Sequence, residues 1–189
     1  MKNSLDIKVR EIQLKDIDLI ADYWLKSPSE FLIKMGVDLD KLPSRAGLKE
    51  MLTEQINTPI TDKKSYALIW ELNGIQIGHS NVNGITYGKE ATMHLHLWSL
   101  TNRKKGIGTL LVKKTLPYYF DKLKVEKLIC EPFALNLAPN KTLEKVGFTF
   151  IKKYRTIPGS LNFEQEVNRW ELTQEVYAEI KKLKTKMFK

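Results

Sequence analysis

The chain has 189 residues, 42% of them hydrophobic and 28% charged, which suits one globular domain over 1–189 with a substantial core. No apolar run approaches the roughly 20 residues that cross a bilayer, and the opening MKNSLDIKVREIQ lacks the apolar segment of a signal peptide, so neither a membrane nor export is expected. One cysteine, Cys130, excludes an intramolecular disulfide and a cysteine-built zinc site, and a reducing, cytoplasmic setting is the expectation.

A formal net charge of +9 raises nucleic acid, acidic protein or a phosphate-rich cofactor as partners. The basic residues are dispersed except at Arg103 to Lys105, Lys113-Lys114, Lys152-Lys153 and the tail, and no aromatic RNP-like motif accompanies them. That argues against nucleic acid.

In chain order, alternation at Ile7, Val9 and Glu11 predicts a first strand over 6–13. Asp16 reads as an N-cap, and Ile17, Ile20, Tyr23 and Trp24 follow at helical spacing until Pro28. The stretch to Leu42, with Phe31, Leu32, Ile33 and Met35, is either a short helix or a hydrophobic lid. Ser44 caps the next predicted helix, whose apolar face is Leu48, Met51, Leu52 and Ile56. Strands over 65–72 and 75–83 flank Asn73-Gly74, a strong hairpin signal, and Tyr87-Gly88 turns the chain into a strand over 91–100.

The next stretch, LHLWSLTNRKKGIGTLLVKK over 95–114, runs from strand through a glycine turn into a helix. Such a junction presents free N–H groups at a positive helix end and is a natural phosphate seat. The spacing is neither GxxxxGK[ST] nor the three-glycine dinucleotide fingerprint. Pro117 should kink or split the helix that follows, and LICEPF reads as a compact buried strand over 127–133, its proline marking an end or edge. A short helix over 136–147 is stopped by Gly147 as its C′ residue. Two more strands, 148–157 and 167–172, are linked through Pro158-Gly159-Ser160, and Val176, Ile180, Leu183 and Met187 line a terminal helix over 173–189.

Three features agree on a family. Arg103-x-x-Gly106-x-Gly108 fits R/Q-x-x-G-x-G/A, the element order over 6–172 is β-α-α-β-β-β-α-β-α-β-β, and Glu131 to Asn136 precedes Leu143-Glu144-Lys145-Val146-Gly147-Phe148. The chain therefore resembles the GCN5-related N-acetyltransferases, most closely the branch that acetylates the N-termini of ribosomal proteins. The resemblance implies an α/β (α+β) fold, a mixed, mostly antiparallel sheet flanked by helices and splayed between the strands at 91–100 and 127–133. It implies acetyl-CoA in the splay as cosubstrate and no metal, with pantetheine along the backbone of His96, Leu97 and Trp98. The pyrophosphate would rest on Arg103, Lys104, Lys105, Gly106, Ile107, Gly108 and Thr109, and Asn136 would contact the cofactor. Asn140 reads rather as a cap or turn residue. A monomer or homodimer is expected.

Acetyl transfer to an amine needs a neutral amine, a donor for the developing oxyanion, and stabilisation of the leaving thiolate. A lysine amine has a pKa of about 10.4 and an α-amine about 7.7 to 8, so a base helps. Glu131, in register with the family's strand glutamate, is the candidate base, with a surface carboxylate paired to a lysine as the competing reading. His94, His96 and Trp98 share one strand face by the two-residue period, and His96 could relay a proton. Two histidines so spaced, without a third ligand, make a weak metal argument. Many family members carry a tyrosine seven residues after the asparagine as the acid; here Leu143 stands there, and Tyr154 or water would have to substitute. Buried strand cysteines are inert, which sets aside covalent catalysis by Cys130.

The expected activity is acetyl transfer from acetyl-CoA to a primary amine (a protein N-terminus, a lysine or a small molecule) by direct attack in a ternary complex. The alternative is a non-catalytic acyl-CoA sensor that has lost the acid. By resemblance, residues 24–58 and the loop from Pro158 to Val167 would shape the acceptor site, with Phe31, Phe163, Glu164 and Glu166 as lining.

Overall fold

The computed structural model describes residues 5–98 and 106–187, without the side chains of 184–187. Its frame is a seven-stranded sheet in the order β1 (Ile7–Glu11), β2 (Ser65–Leu72), β3 (Ile75–Thr86), β4 (Glu90–Leu97), β5 (Lys127–Cys130), β7 (Gln165–Thr173), β6 (Thr149–Thr156). Every neighbouring pair is antiparallel except β4 and β5, which run parallel. That one pairing is short, covering Glu90 to Thr92 against Lys127 to Ile129. From Met93 onward the two strands part, and the splay of the sheet begins there.

Among the described residues six α-helices cover the two faces in unequal ways, and the side-chain alternation of the strands decides which residues each face receives. Tyr66, Leu68 and Trp70 of β2 and Ala91 and Met93 of β4 face α4 (Ile107–Pro117), α5 (Leu137–Val146) and α6 (Gln174–Met187), forming the larger core. Ala67 and Ile69 face α1 (Ile17–Lys26), α2 (Ser29–Lys34) and α3 (Arg45–Asn57), forming a smaller core around Ile20, Trp24, Leu48 and Leu52. The segment around Phe31, open between helix and lid in the sequence, is the short helix α2.

Local signals and tertiary demands meet differently at three places. Ser44 accepts the Gly47 N–H at 3.1 Å, an ordinary N-cap of α3. Asp16 does not cap α1; it closes a preceding 3-10 turn by accepting the Gln13 N–H at 2.8 Å, and Arg10 pairs with it at 2.6 and 2.8 Å. Pro117 divides the predicted helix: α4 ends on it and the chain continues as a π-type turn over Tyr118–Lys122, with the Leu123 N–H donating to the Tyr118 carbonyl. The wider register absorbs the missing proline donor.

Beyond Cys130 the predicted strand stops short because Pro132 has no N–H for the ladder. Its carbonyl still accepts from Asn168 N–H, and Ala134 N–H donates to Glu166, so 131–136 follows β7 as an irregular extension. Leu143, Val146 and Phe148 are all buried in the larger core, and Gly147 at φ +112° ends α5. A Cβ at Gly147 would lie 2.9 Å from Ile180, so the same glycine lets α6 dock. Among the described residues no helix is long and apolar enough to cross a membrane.

Candidate active site

The parting of β4 from β5 opens a cleft of about 590 Å³, within the range of small-molecule sites. One side is formed by α1, α3 and the segment between them, with Trp24, Met35, Val37, Leu48 and Leu52. The other is formed by the chain after β5, with Glu131, Phe133, Asn136 and Pro139, and by the loop from Pro158 to Asn162. The floor is β3 and β4.

All three histidines of the chain lie on that floor. The β3–β4 ladder pairs His79 with His96 and Asn81 with His94, so the four side chains share one face. The His79 and His96 rings stack with centroids 4.4 Å apart and planes 19° from parallel. Trp24 stands edge-on to His96 at 4.9 Å, and the Tyr23 hydroxyl lies 3.3 Å from His96 Nδ1. Trp98 Nε1–H donates to His79 Nδ1 at 2.7 Å. An indole N–H can only donate, so neutral His79 carries its proton on Nε2.

Burial is the main reason these rings stay neutral. It lowers His79 to about 3, helped by neighbouring His94, and lowers His94 to about 4 against the pull of Glu131. His96 is held well below the ordinary histidine range by burial and by the two other histidines. A ring so depressed accepts hydrogen bonds at neutral pH but takes a proton from an ammonium poorly. Among the described residues no group of three or more His, Cys, Asp or Glu side chains is arranged to hold a metal ion.

Glu131 stands just past the end of β5, where the strands have separated, with its side chain 10% exposed. Its Oε1 accepts from the Tyr154 hydroxyl at 2.5 Å and from Arg169 Nη1 at 3.0 Å. Arg169 is itself anchored on Glu171. Both bonds fall on Oε1, which leaves Oε2 without a partner among the described residues. Tyr154, raised by burial and by its bond to Glu131, keeps its proton. Cys130, the neighbouring residue, is buried in the larger core, and burial pushes its thiol up and away from the reactive thiolate.

Outside the cleft lining, Gly106 begins α4 at φ +72°, a left-handed conformation that any Cβ would strain. Gly106, the N-cap residue, has no side chain with which to cap the first-turn N–H groups of Ile107, Gly108 and Thr109. Gly108 is less constrained, a Cβ there meeting only Thr142 Oγ1 at 3.8 Å. Arg103, Lys104 and Lys105 lie outside the described residues. The β4–β5 ladder ends at Thr92, and past it the backbone of Met93 and Leu95 on the β5-facing edge of β4 borders the cleft, whereas the His96 carbonyl faces β3. Trp98 N–H instead donates to Ile77 at 2.8 Å, and its ring lies against Tyr23.

Asn136 lines the cleft at the start of α5, and its side chain makes no capping bond. Asn140 is spent on structure: it donates to the carbonyls of Asn136 and Phe133 and accepts from Asn168 and Trp170. Leu143 is fully buried, so nothing at that position reaches the cleft. Of the residues expected near the acceptor, Phe31 packs into the smaller core and Phe163 sits edge-on to Phe133. Glu164 pairs with Arg155 and Glu166 with Lys153 at the surface, away from the cleft lining.

His79, Tyr23, Trp24 and Arg169 escape a reading of single segments. For His79 a signal exists: a ladder closed at Tyr87-Gly88 sets it opposite His96. For Arg169 none does, because its approach to Glu131 depends on β5 pairing with β7 across a long separation.

This fold, with its splayed parallel pair and left-handed glycine at the start of α4, defines an acyl-CoA-type transferase scaffold, and residues 6–149 match the family model described as the Acetyltransferase (GNAT) domain. The chain belongs to that family. Among solved structures it is similar to a spermidine N-acetyltransferase from Vibrio cholerae in complex with CoA and spermine, with a TM-score of 0.74 and 18% identity over 91% of this chain and 98% of that one. It is similar to the ribosomal L7/L12 alpha-N-protein acetyltransferase in complex with coenzyme A, with a TM-score of 0.72 and 12% identity over 90% and 95%. An aminoglycoside acetyltransferase, AAC(6′)-Ib, in complex with coenzyme A gives 0.70 and 17% over 92% and 98%. At such identities the likeness concerns the fold. No curated protein sequence matches the chain.

Proposed function

We propose that the chain transfers the acetyl group of acetyl-CoA to a primary amine by direct attack, with both substrates bound. The observation that carries this reading is the continuity of the cleft, which leads from the open edge of β4 and Asn136, past Glu131, to the wall under α1 and α3. The groups on its donor side suit the cosubstrate. Gly106 and the first turn of α4 fit a pyrophosphate, the β4 edge past Thr92 at Met93 and Leu95 fits the amides of a pantetheine arm, and Asn136, whose side chain makes no capping bond, offers a carboxamide. Acetyl-CoA supplies an activated acyl thioester.

The chain's own residues then have three tasks. Glu131 takes the proton of the incoming ammonium, directly or through a water, on Oε2, while Arg169 and Tyr154 hold the carboxylate by Oε1. Backbone N–H groups along the β4 edge are the candidates for stabilising charge on the acyl oxygen. His96, neutral and held by Tyr23 and the His79 ring, shapes the floor and offers a hydrogen bond rather than a strong base. Leu143 supplies no acid; a thiol whose pKa is about 8.5 leaves tolerably near neutral pH without one.

Calorimetry with acetyl-CoA, followed by release of CoA thiol in the presence of an amine library, tests the proposal. Saturable binding and amine-dependent thiol release are expected. Absence of binding at millimolar acetyl-CoA would refute it, whereas binding without transfer to any amine would favour the acyl-CoA sensor reading, to which buried Leu143 lends its weight.

A further inference from the structure

Resting on the transferase reading, we infer that the acceptor is a primary amine carried on an uncharged body, such as a short neutral peptide or an apolar alkylamine, and not a polycation. The argument is the charge inventory of the acceptor wall. Its apolar part is Trp24, Met35, Leu48, Met51 and Leu52, and its polar part beside the floor is Gln55, Ser65, Asn81 and Asn83. The floor histidines are held neutral by burial. Among the described lining residues the charged side chains are Lys64, at an exposed position of the rim, and Glu131.

Glu131 shares Arg169 with Glu171, so the trio carries one negative charge, enough for the single reacting ammonium and not for further ones. Of the carboxylates on the elements that form this wall, Asp16 pairs with Arg10, Asp22 with Lys26 and Arg45, and Asp38 with Lys41, while Glu30, Asp40, Glu50 and Glu54 are not among the residues that line the cleft. Glu164 and Glu166, the acidic residues of the loop and strand that flank the cleft, pair with Arg155 and Lys153 at the surface. A polyamine or aminoglycoside brings several ammonium groups besides the one that reacts. Each would lose water in the cleft without a carboxylate to replace it, which is costly. The net charge of +9 further opposes its approach. A neutral body loses little on entering and gains apolar contact with Trp24, Met35 and Leu48.

The test compares spermidine, an aminoglycoside, hexylamine and a short peptide amide of uncharged residues with a free α-amine. CoA thiol release gives kcat/KM, and calorimetric titration of the same amines into CoA-saturated protein gives binding. The neutral-bodied amines are expected to exceed spermidine by at least about 100-fold in kcat/KM, the scale of one uncompensated charge in a partly buried site. Equal or better use of spermidine or the aminoglycoside overturns the inference, as does failure of both neutral-bodied amines to bind. If thiol is never released yet calorimetry still ranks neutral bodies above polycations, the transferase reading falls and the charge selectivity stands. Asn81→Asp and Lys64→Glu each add a negative charge at the wall or rim, and either should raise spermidine use about 10-fold without the same gain for hexylamine. Lys64 is exposed, so folding is not at issue there, and unchanged spermidine binding and rates in folded protein of both variants count against the inference.

Discussion

At the start of α4 the groups on offer belong to the backbone, around the left-handed Gly106. Under α1 and α3 they are side chains drawn from α1, β3, β4 and the loop at 158–162, held by mutual contacts such as the His79–His96 stack and the Trp98–His79 hydrogen bond. A backbone site depends on few residue identities and suits a fixed ligand. A side-chain site changes with each substitution in its wall, so one scaffold can keep a common donor while its acceptor varies.

Acid should separate the two ends most strongly. His79 and His94 have lowered pKa values in the fold and ordinary ones when unfolded, so the unfolded chain binds more protons between about pH 6.5 and pH 4. Their stabilising neutrality is complete above about pH 6.5 and is lost as the pH falls toward their folded values. Urea unfolding should therefore weaken by about 4 kcal/mol from about pH 7 to about pH 5 on account of these two rings. Replacing His94 by Gln should flatten that slope; an unchanged slope would mean that His94 already titrates normally in the fold.

Gly78 offers the next largest effect. A Cβ there would sit 2.4 Å from the His96 carbonyl and 3.1 Å from the Trp70 ring. Gly78→Ala must push β3 from β4 and disturb the histidine floor, costing about 3 kcal/mol in denaturant unfolding. Acetyl-CoA affinity should change less than acceptor KM, and the reverse order would place the floor on the donor side.

Glu131→Gln keeps the shape of the side chain while removing the base. It should lower kcat about 100-fold with acetyl-CoA affinity nearly unaltered. An unaltered pH–rate profile in that variant would assign Glu131 to holding Arg169 and Tyr154 in place instead. The smallest expected change is Gly106→Ala, which strains φ +72° by about 1 kcal/mol and should weaken acetyl-CoA binding about 10-fold while leaving acceptor preference unchanged.

Much of the frame is legible one segment at a time. Asn73 and Gly74 both adopt positive φ at the predicted hairpin turn, Ser44 caps α3, and Gly147 ends α5. Where a short segment's signal competes with a distant partner, the distant partner prevails. Asp16 reads as a helix cap but is drawn to Arg10, and the strand after Cys130 is shortened by Pro132 although its carbonyl still bonds to β7. Glu164 and Glu166 show the same limit, since their acidity is visible in the sequence and their surface partners on β6 are not.

The sequence alone determined the glycine turn and the start of α4, because glycine conformation and helix starts are set by neighbouring residues. It also placed Glu131 next to Cys130 and the LEKVGF run, whose apolar members are core residues. Only the tertiary structure decided what Glu131 and the histidines face. Arg169 and Tyr154 reach Glu131 through the β5–β7 and β6–β7 ladders, and Tyr23, Trp24 and Trp98 meet the stacked rings through the packing of α1 on the sheet. Charge compensation and burial depend on contacts between distant segments, and those contacts fix the character of the cleft wall under α1 and α3.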